Sequence, residues 1–120
     1  MKKNYRPLSN QEKAALRLIL SPNFRHAEKI RAQLTELSLC VVDEVLFYLL
    51  PKGCSNERPC RSFGLPVECT YTDDDNQMVY IDLFVDQDNN LSELEIWKPE
   101  GSSVTTYFAN ADLSIRVIDE

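Results

Sequence analysis

From Gln77 to Lys98 the chain reads QMVYIDLFVDQDNNLSELEIWK, and apolar and polar positions alternate along both halves. Successive side chains of an extended chain point to opposite faces. Val79, Ile81, Leu83 and Val85 therefore share one face, and Met78, Tyr80, Asp82, Phe84 and Asp86 share the other. The second half repeats the scheme, with Leu94 and Ile96 on one side and Glu93, Glu95 and Trp97 on the other. The pattern predicts a β-hairpin turning at Asn89-Asn90, because Asn tolerates the positive φ of a type I′ turn. That turn sets Val85 opposite Leu94 and Leu83 opposite Ile96. It also sets Asp86 opposite Glu93, Phe84 opposite Glu95, and Asp82 opposite Trp97. One face is aliphatic; the other interleaves rings with carboxylates. Like charges facing each other destabilise a strand pair. This second face is either a plain solvated exterior or a surface kept for a partner.

The rest of the chain supplies layers for the hairpin. Ser9-Asn10-Gln11-Glu12 matches a capping box, and Ala15, Leu16, Ile19 and Leu20 follow as one helical stripe. Ser21-Pro22 breaks that helix and starts a second one, carrying Ala27, Ile30, Leu34 and Leu37, to about Glu36. Two helices joined this tightly predict a helical hairpin over 1–37. LCVV and VLFYLL read as strands about an Asp43-Glu44 turn, with a helix there as the competing reading. Residues 51–66, with three prolines and two of the three glycines, predict a loop that is locally basic through Lys52, Arg58 and Arg61 against Glu57. Val67–Thr72 reads as a strand before an Asp73-Asp74-Asp75-Asn76 turn. Pro99–Ser102 reads as a turn, and Val104–Phe108 and Leu113–Ile118 as closing strands. The expected fold is α+β: one domain over 1–120, a helical hairpin on the aliphatic face of a mostly antiparallel sheet of about five to seven strands over 38–120. Helices on the opposite face would bury its carboxylates at heavy cost.

Composition narrows the classes. With 120 residues the chain can build one core, and no apolar run is long enough to span a bilayer. The lysines of MKKNYRPLSNQEK precede no apolar signal segment, so a cytoplasmic location is expected. Net charge is −6 and the sequence pI is about 4.8, against general nucleic-acid binding. The acidity is concentrated: residues 68–95 hold nine carboxylates and no Lys or Arg, whereas 1–31 are basic. An acidic surface steers basic proteins toward itself.

Catalytic chemistry finds little purchase. His26, the single histidine, sits between Arg25 and Ala27 without triad partners. No P-loop, dinucleotide glycine pattern or HExxH occurs. Asp86-x-Asp88-x-Asn90 begins like a calcium loop, but Leu91 stands at the glycine position and Trp97 at that of the bidentate Glu. Cys40, Cys54, Cys60 and Cys69 form no CxxC pair and are expected as reduced thiols, although Cys54 and Cys60 bracket a loop and could approach each other. No cofactor, metal or reaction is expected. A small enzyme or metal-binding domain is the remote third reading.

Two segments resemble a family of small bacterial domains of unknown function. These begin R-x-L-[ST]-x-x-E and carry an acidic hairpin ending in L-x-E-L-D-x-W-K. The matching residues are Arg6, Leu8, Ser9, Glu12, Asp73, Asp75, Asp86, Leu91, Glu93, Leu94, Trp97 and Lys98. Asn76 and Asn90 stand where the family has Gly, and Glu95 where it has Asp. By type, a small acidic domain without catalytic motifs is also similar to the immunity proteins of contact-dependent inhibition and other polymorphic toxin systems. That likeness implies a monomer or weak dimer that neutralises a basic toxin domain such as a nuclease. The expected contact set is Tyr80, Asp82, Phe84, Asp86, Glu93, Glu95 and Trp97, with Asp73, Asp74 and Asp75 at the rim. The alternative is a self-associating or regulatory binding module using the same face.

Overall fold

A computed structural model describes residues 4–55 and 61–118. Arg6–Pro7 forms a short edge strand, β1. Helix α1, Asn10–Ile19, follows the predicted capping box: Ser9 Oγ accepts the Glu12 N–H, and Glu12 Oε1 accepts the Ser9 N–H. Helix α2 covers only Ala27–Ala32 and tightens into a 3₁₀ turn at Gln33–Glu36. It is shorter than the sequence suggests because residues 21–26 form turns, ending at His26 in the left-handed region (φ 66°). Arg31 closes the end of α1 by donating to the carbonyls of Leu20 and Pro22.

The strands are β2 (Leu37–Val41), β3 (Leu46–Pro51), β4 (Phe63–Gly64), β5 (Val67–Thr72), β6 (Met78–Val85), β7 (Leu91–Trp97) and β8 (Ser114–Val117). Pairing is antiparallel throughout, in the order β1-β2-β3-β7-β6-β5-β8, with β4 extending the pairing of β6. The protein is thus α+β, with a sheet of eight strands among the described residues. The Asp43-Glu44 turn forms as expected, Asp43 Oδ1 accepting the N–H groups of Val45 and Leu46. Val104–Phe108 is not a strand. It crosses as an irregular segment ending in a 3₁₀ turn at Phe108–Asn110. Fully buried Phe108 meets the ring of Phe47 there, a side-chain anchor in place of a ladder. Loop residues Glu57, Arg58 and Cys60 lie outside the described residues; Cys40, Cys54 and Cys69 are free thiols.

The core joins the predicted faces. Leu16, Ile19, Leu20, Ile30 and Leu34 of the helical layer pack with Val79, Ile81, Leu83, Val85, Leu94 and Ile96, all buried. Burial of such side chains contributes roughly 1.5–3 kcal/mol each. No helix among the described residues is long and apolar enough to cross a membrane.

The hairpin keeps its predicted parity but not its register. Leu83 opposes Leu94, Ile81 opposes Ile96, Asp82 opposes Glu95, Phe84 opposes Glu93, and Tyr80 opposes Trp97. Every predicted pair is displaced by two residues, so the expected Asp86–Glu93 opposition does not exist. The turn is the cause. Asp86 and Asn90 close a longer loop, in which Asn89 N–H donates to Asp86 O and Asp86 N–H to Asn90 O. Only Asn89 is left-handed (φ 63°), whereas a type I′ turn needs two such residues. Asp86 Oδ1 holds this loop through the N–H groups of Asp88 and Asn90. A register shift beyond Phe84 then fits Ser92 in as an extra residue, as a β-bulge does. The Asp73–Gln77 turn repeats the design, with Asn76 at φ 64°. Both Asn residues occupy turns, where a small polar side chain tolerates this conformation.

Candidate functional site

Among the described residues, no helix covers the other sheet face. Met78, Tyr80, Asp82 and Phe84 on β6 point there, as do Glu93, Glu95 and Trp97 on β7. Their neighbours continue the face with Leu46 and Tyr48 on β3 and Thr70 and Thr72 on β5. Tyr80 and Trp97 are a cross-strand pair, and their rings stack with centroids 4.6 Å apart and planes 18° apart. Trp97 Nε1 donates to Asp82 Oδ2 at 2.7 Å. The indole is thereby held between a phenol ring and a carboxylate while 41% of the residue stays exposed. Met78, 46% exposed, borders it one step along β6. Large, restrained aromatic area beside a charge is what protein recognition uses at low entropic cost.

The other end of the face is occupied by the chain itself. The Arg61 guanidinium lies 4.0 Å over the Phe84 ring. Its Nη2 is 3.2 Å from Glu93 Oε1 and 3.3 Å from Glu95 Oε2, and its backbone N–H donates to Glu93 Oε2. Desolvation opposes the charge on Arg61, but the two carboxylates outweigh it and hold its pKa above the ordinary value. The sequence marked the loop as basic; it gave no sign that one of its arginines folds back on the sheet. Glu93 is buried under this contact, so the two glutamates serve internal cohesion first.

Three predicted contact residues are buried on internal duties. Asp86 is buried and fastens its own turn. Glu93 is tied to Arg61. Asp73 is buried and accepts from the N–H groups of Thr105 and Thr106, from Thr105 Oγ1 and from Lys98. Burial alone would raise the Asp73 pKa, but Lys98 and these donors hold it well below the carboxylate range. Lys98 gives its remaining protons to Asp75 Oδ2 and Ser103 O. Asp74 accepts from the hydroxyls of Thr105 and Thr106. The Asp73–Asp75 run therefore pins segment 98–107 to the β5–β6 turn through buried Asp73, while Asp74 and Asp75 stay exposed. On the sheet, the acidic side chains left half-exposed are Glu68, which Arg116 forks, Asp82 and Glu95. The calcium-like spacing at Asp86 is likewise spent on turn geometry.

A second polar hub lies on the helical side. Glu12 is buried and takes both ends of the Arg6 guanidinium at 2.8 Å, the Ser9 N–H and the Tyr107 hydroxyl. Arg6 is the main reason the Glu12 pKa falls to about 2 despite burial, helped by Tyr107 and Ser9. Arg6, Thr105, Thr106 and Tyr107 also border a cavity of about 380 Å³, which Asp43 and Glu44 line as well. Among the described residues its one cation is Arg6, already forked by Glu12.

A family model for a domain of unknown function, DUF6984, matches residues 5–108. The match runs from the N-terminal capping box through the acidic hairpin to the Phe108 anchor. No curated relative and no solved structure matches the chain.

Proposed function

We propose that this chain, which belongs to the DUF6984 family of uncharacterised domains, is a non-catalytic inhibitor that docks a basic protein through its uncovered sheet face. The partner class is a toxin domain, such as a nuclease, held in check by an immunity-type protein. The observation that carries the reading is the exposed Trp97, fixed by Tyr80 and Asp82 at the open end of a face without a helical cover. Chemistry of the surface supports the same reading: half-exposed Asp82 and Glu95 beside rings favour a cationic partner. The docking set is Met78, Tyr80, Asp82, Glu95 and Trp97. Asp73, Asp86 and Glu93 hold the scaffold beneath and beside it, and Phe84 is roofed by Arg61.

The test is coexpression with the C-terminal domain of a secreted toxin encoded beside this chain. Growth is restored by the native chain and lost with Trp97→Asp, while circular dichroism shows both variants folded. Protection that survives Trp97→Asp, or the absence of any toxin that the chain restrains, defeats the proposal.

A second reading, self-association, is favoured by the sheet edge at β8. Val117 is 42% exposed and Ile118 is 44% exposed beside an outermost strand, a template for pairing with another copy. Sedimentation of the purified chain separates the two readings.

A further inference from the structure

The chain shows by example what this face accepts. Arg61 is seated with its guanidinium over a ring, Phe84, and its nitrogens at two carboxylates, Glu93 and Glu95. At β8 a second arginine, Arg116, forks Glu68, with Nε 2.8 Å from Oε1. Further along β6 from Phe84 the same ingredients recur, with no cation on them among the described residues. The Tyr80–Trp97 stack supplies the rings, and Asp82 lies between them and the occupied seat. Asp82 uses Oδ2 for the indole N–H, and none of the described residues donates to its Oδ1.

We propose that Trp97, Tyr80 and Asp82 form a seat for an arginine side chain of the partner, the external counterpart of the seat that Arg61 fills. This rests on the docking reading above and specifies its chemistry. A planar guanidinium stacks on an aromatic face while its edge donates to a carboxylate. A lysine ammonium is a more strongly hydrated point charge and matches the pair less well. Trp97 is already oriented by two contacts, so little rotamer freedom remains to be lost on binding. Glu95, opposite Asp82, adds negative potential while its own nearest partner is Arg61.

Trp97 is the single tryptophan of the chain, so its emission reports the seat directly. The probe is a short blocked peptide alternating arginine and glycine, titrated against its lysine counterpart of equal length and charge at moderate salt. The arginine peptide is expected to change Trp97 emission saturably and to bind roughly three- to tenfold tighter than the lysine peptide. Asp82→Asn, which keeps an acceptor for the indole, is expected to abolish most of that preference with the near-ultraviolet spectrum of the protein preserved. Equal affinity for the two peptides, binding that leaves Trp97 emission unchanged, or a preference untouched by Asp82→Asn overturns the proposal. Each of those results can coexist with toxin protection, which would leave the docking reading standing. Loss of protection with the arginine preference intact would remove the toxin partner and keep the seat.

Discussion

The Asp73 carboxylate and the Lys98 ammonium meet at 2.8 Å with neither side chain exposed to solvent. The pair joins the β5–β6 turn to the residue that follows β7, and the Thr105 and Thr106 N–H groups close around the same carboxylate. Removing the Asp73 carboxylate leaves Lys98 with the half-exposed Asp75 as its only counter-charge among the described residues and strands the N–H groups of Thr105 and Thr106. Asp73→Ala is therefore expected to lower the unfolding free energy by about 3–5 kcal/mol. Urea denaturation followed by Trp97 fluorescence measures it. A loss below about 1 kcal/mol would mean that the pair contributes no more than a surface ion pair.

Acid stability should report the Glu12 hub. Its folded pKa of about 2 lies below the ordinary carboxylate value of 4.5, chiefly because Arg6 grips both oxygens. A depressed folded pKa stabilises the fold above the unfolded value and loses that stabilisation as pH falls through the folded one. The window is thus about pH 4.5 down to 2. Arg6 is half-exposed, so solvent screening limits the contribution to on the order of 2 kcal/mol. Arg6→Met should flatten the pH dependence of stability within that window; an unchanged acid titration curve would contradict the assignment.

Much of this architecture is legible in the residue pattern, because periodicity reports faces. Val79, Ile81, Leu83 and Val85 are buried as their alternation requires, and Ser9 and Glu12 cap α1 as spaced. Register is harder to read. It depends on which Asn adopts positive φ and on the Asp86 side chain, and both are local choices that alternation does not encode. Parity survived because the displacement was an even number of residues. The site was half legible for a related reason. The outward rings Tyr80 and Trp97 follow from strand parity, whereas the covering of Phe84 by Arg61 is a long-range contact with no periodic signature. Burial of Asp73 was equally hidden, since its partners Thr105, Thr106 and Lys98 are distant in sequence and lie in or beside a segment that resembles a strand.

The turn assignment yields its own expectation. Asn89 holds φ 63°, a conformation in which a β-branched side chain clashes with its own backbone. Asn89→Val should cost about 1–2 kcal/mol, and Asn89→Gly should be close to neutral. Asn90, outside the left-handed region, should tolerate Ala better than Asn89 does. Equal penalties at the two positions would restore the two-residue turn and its register.

Thiol chemistry separates the cysteines by depth. Cys69 lies on the aliphatic face of β5, fully buried opposite Ile81. Desolvation pushes its pKa up to about 12, with a smaller contribution from the Asp82 charge. Because the thiolate is the reactive species, Cys69 should resist alkylation at pH 8 until the protein unfolds. Cys54 is only partly buried and should react in the native state. Mass mapping of iodoacetamide adducts with and without urea checks both. Native labelling of Cys69 as fast as Cys54 would place β5 at an accessible surface, and with it the face that here packs against the helices.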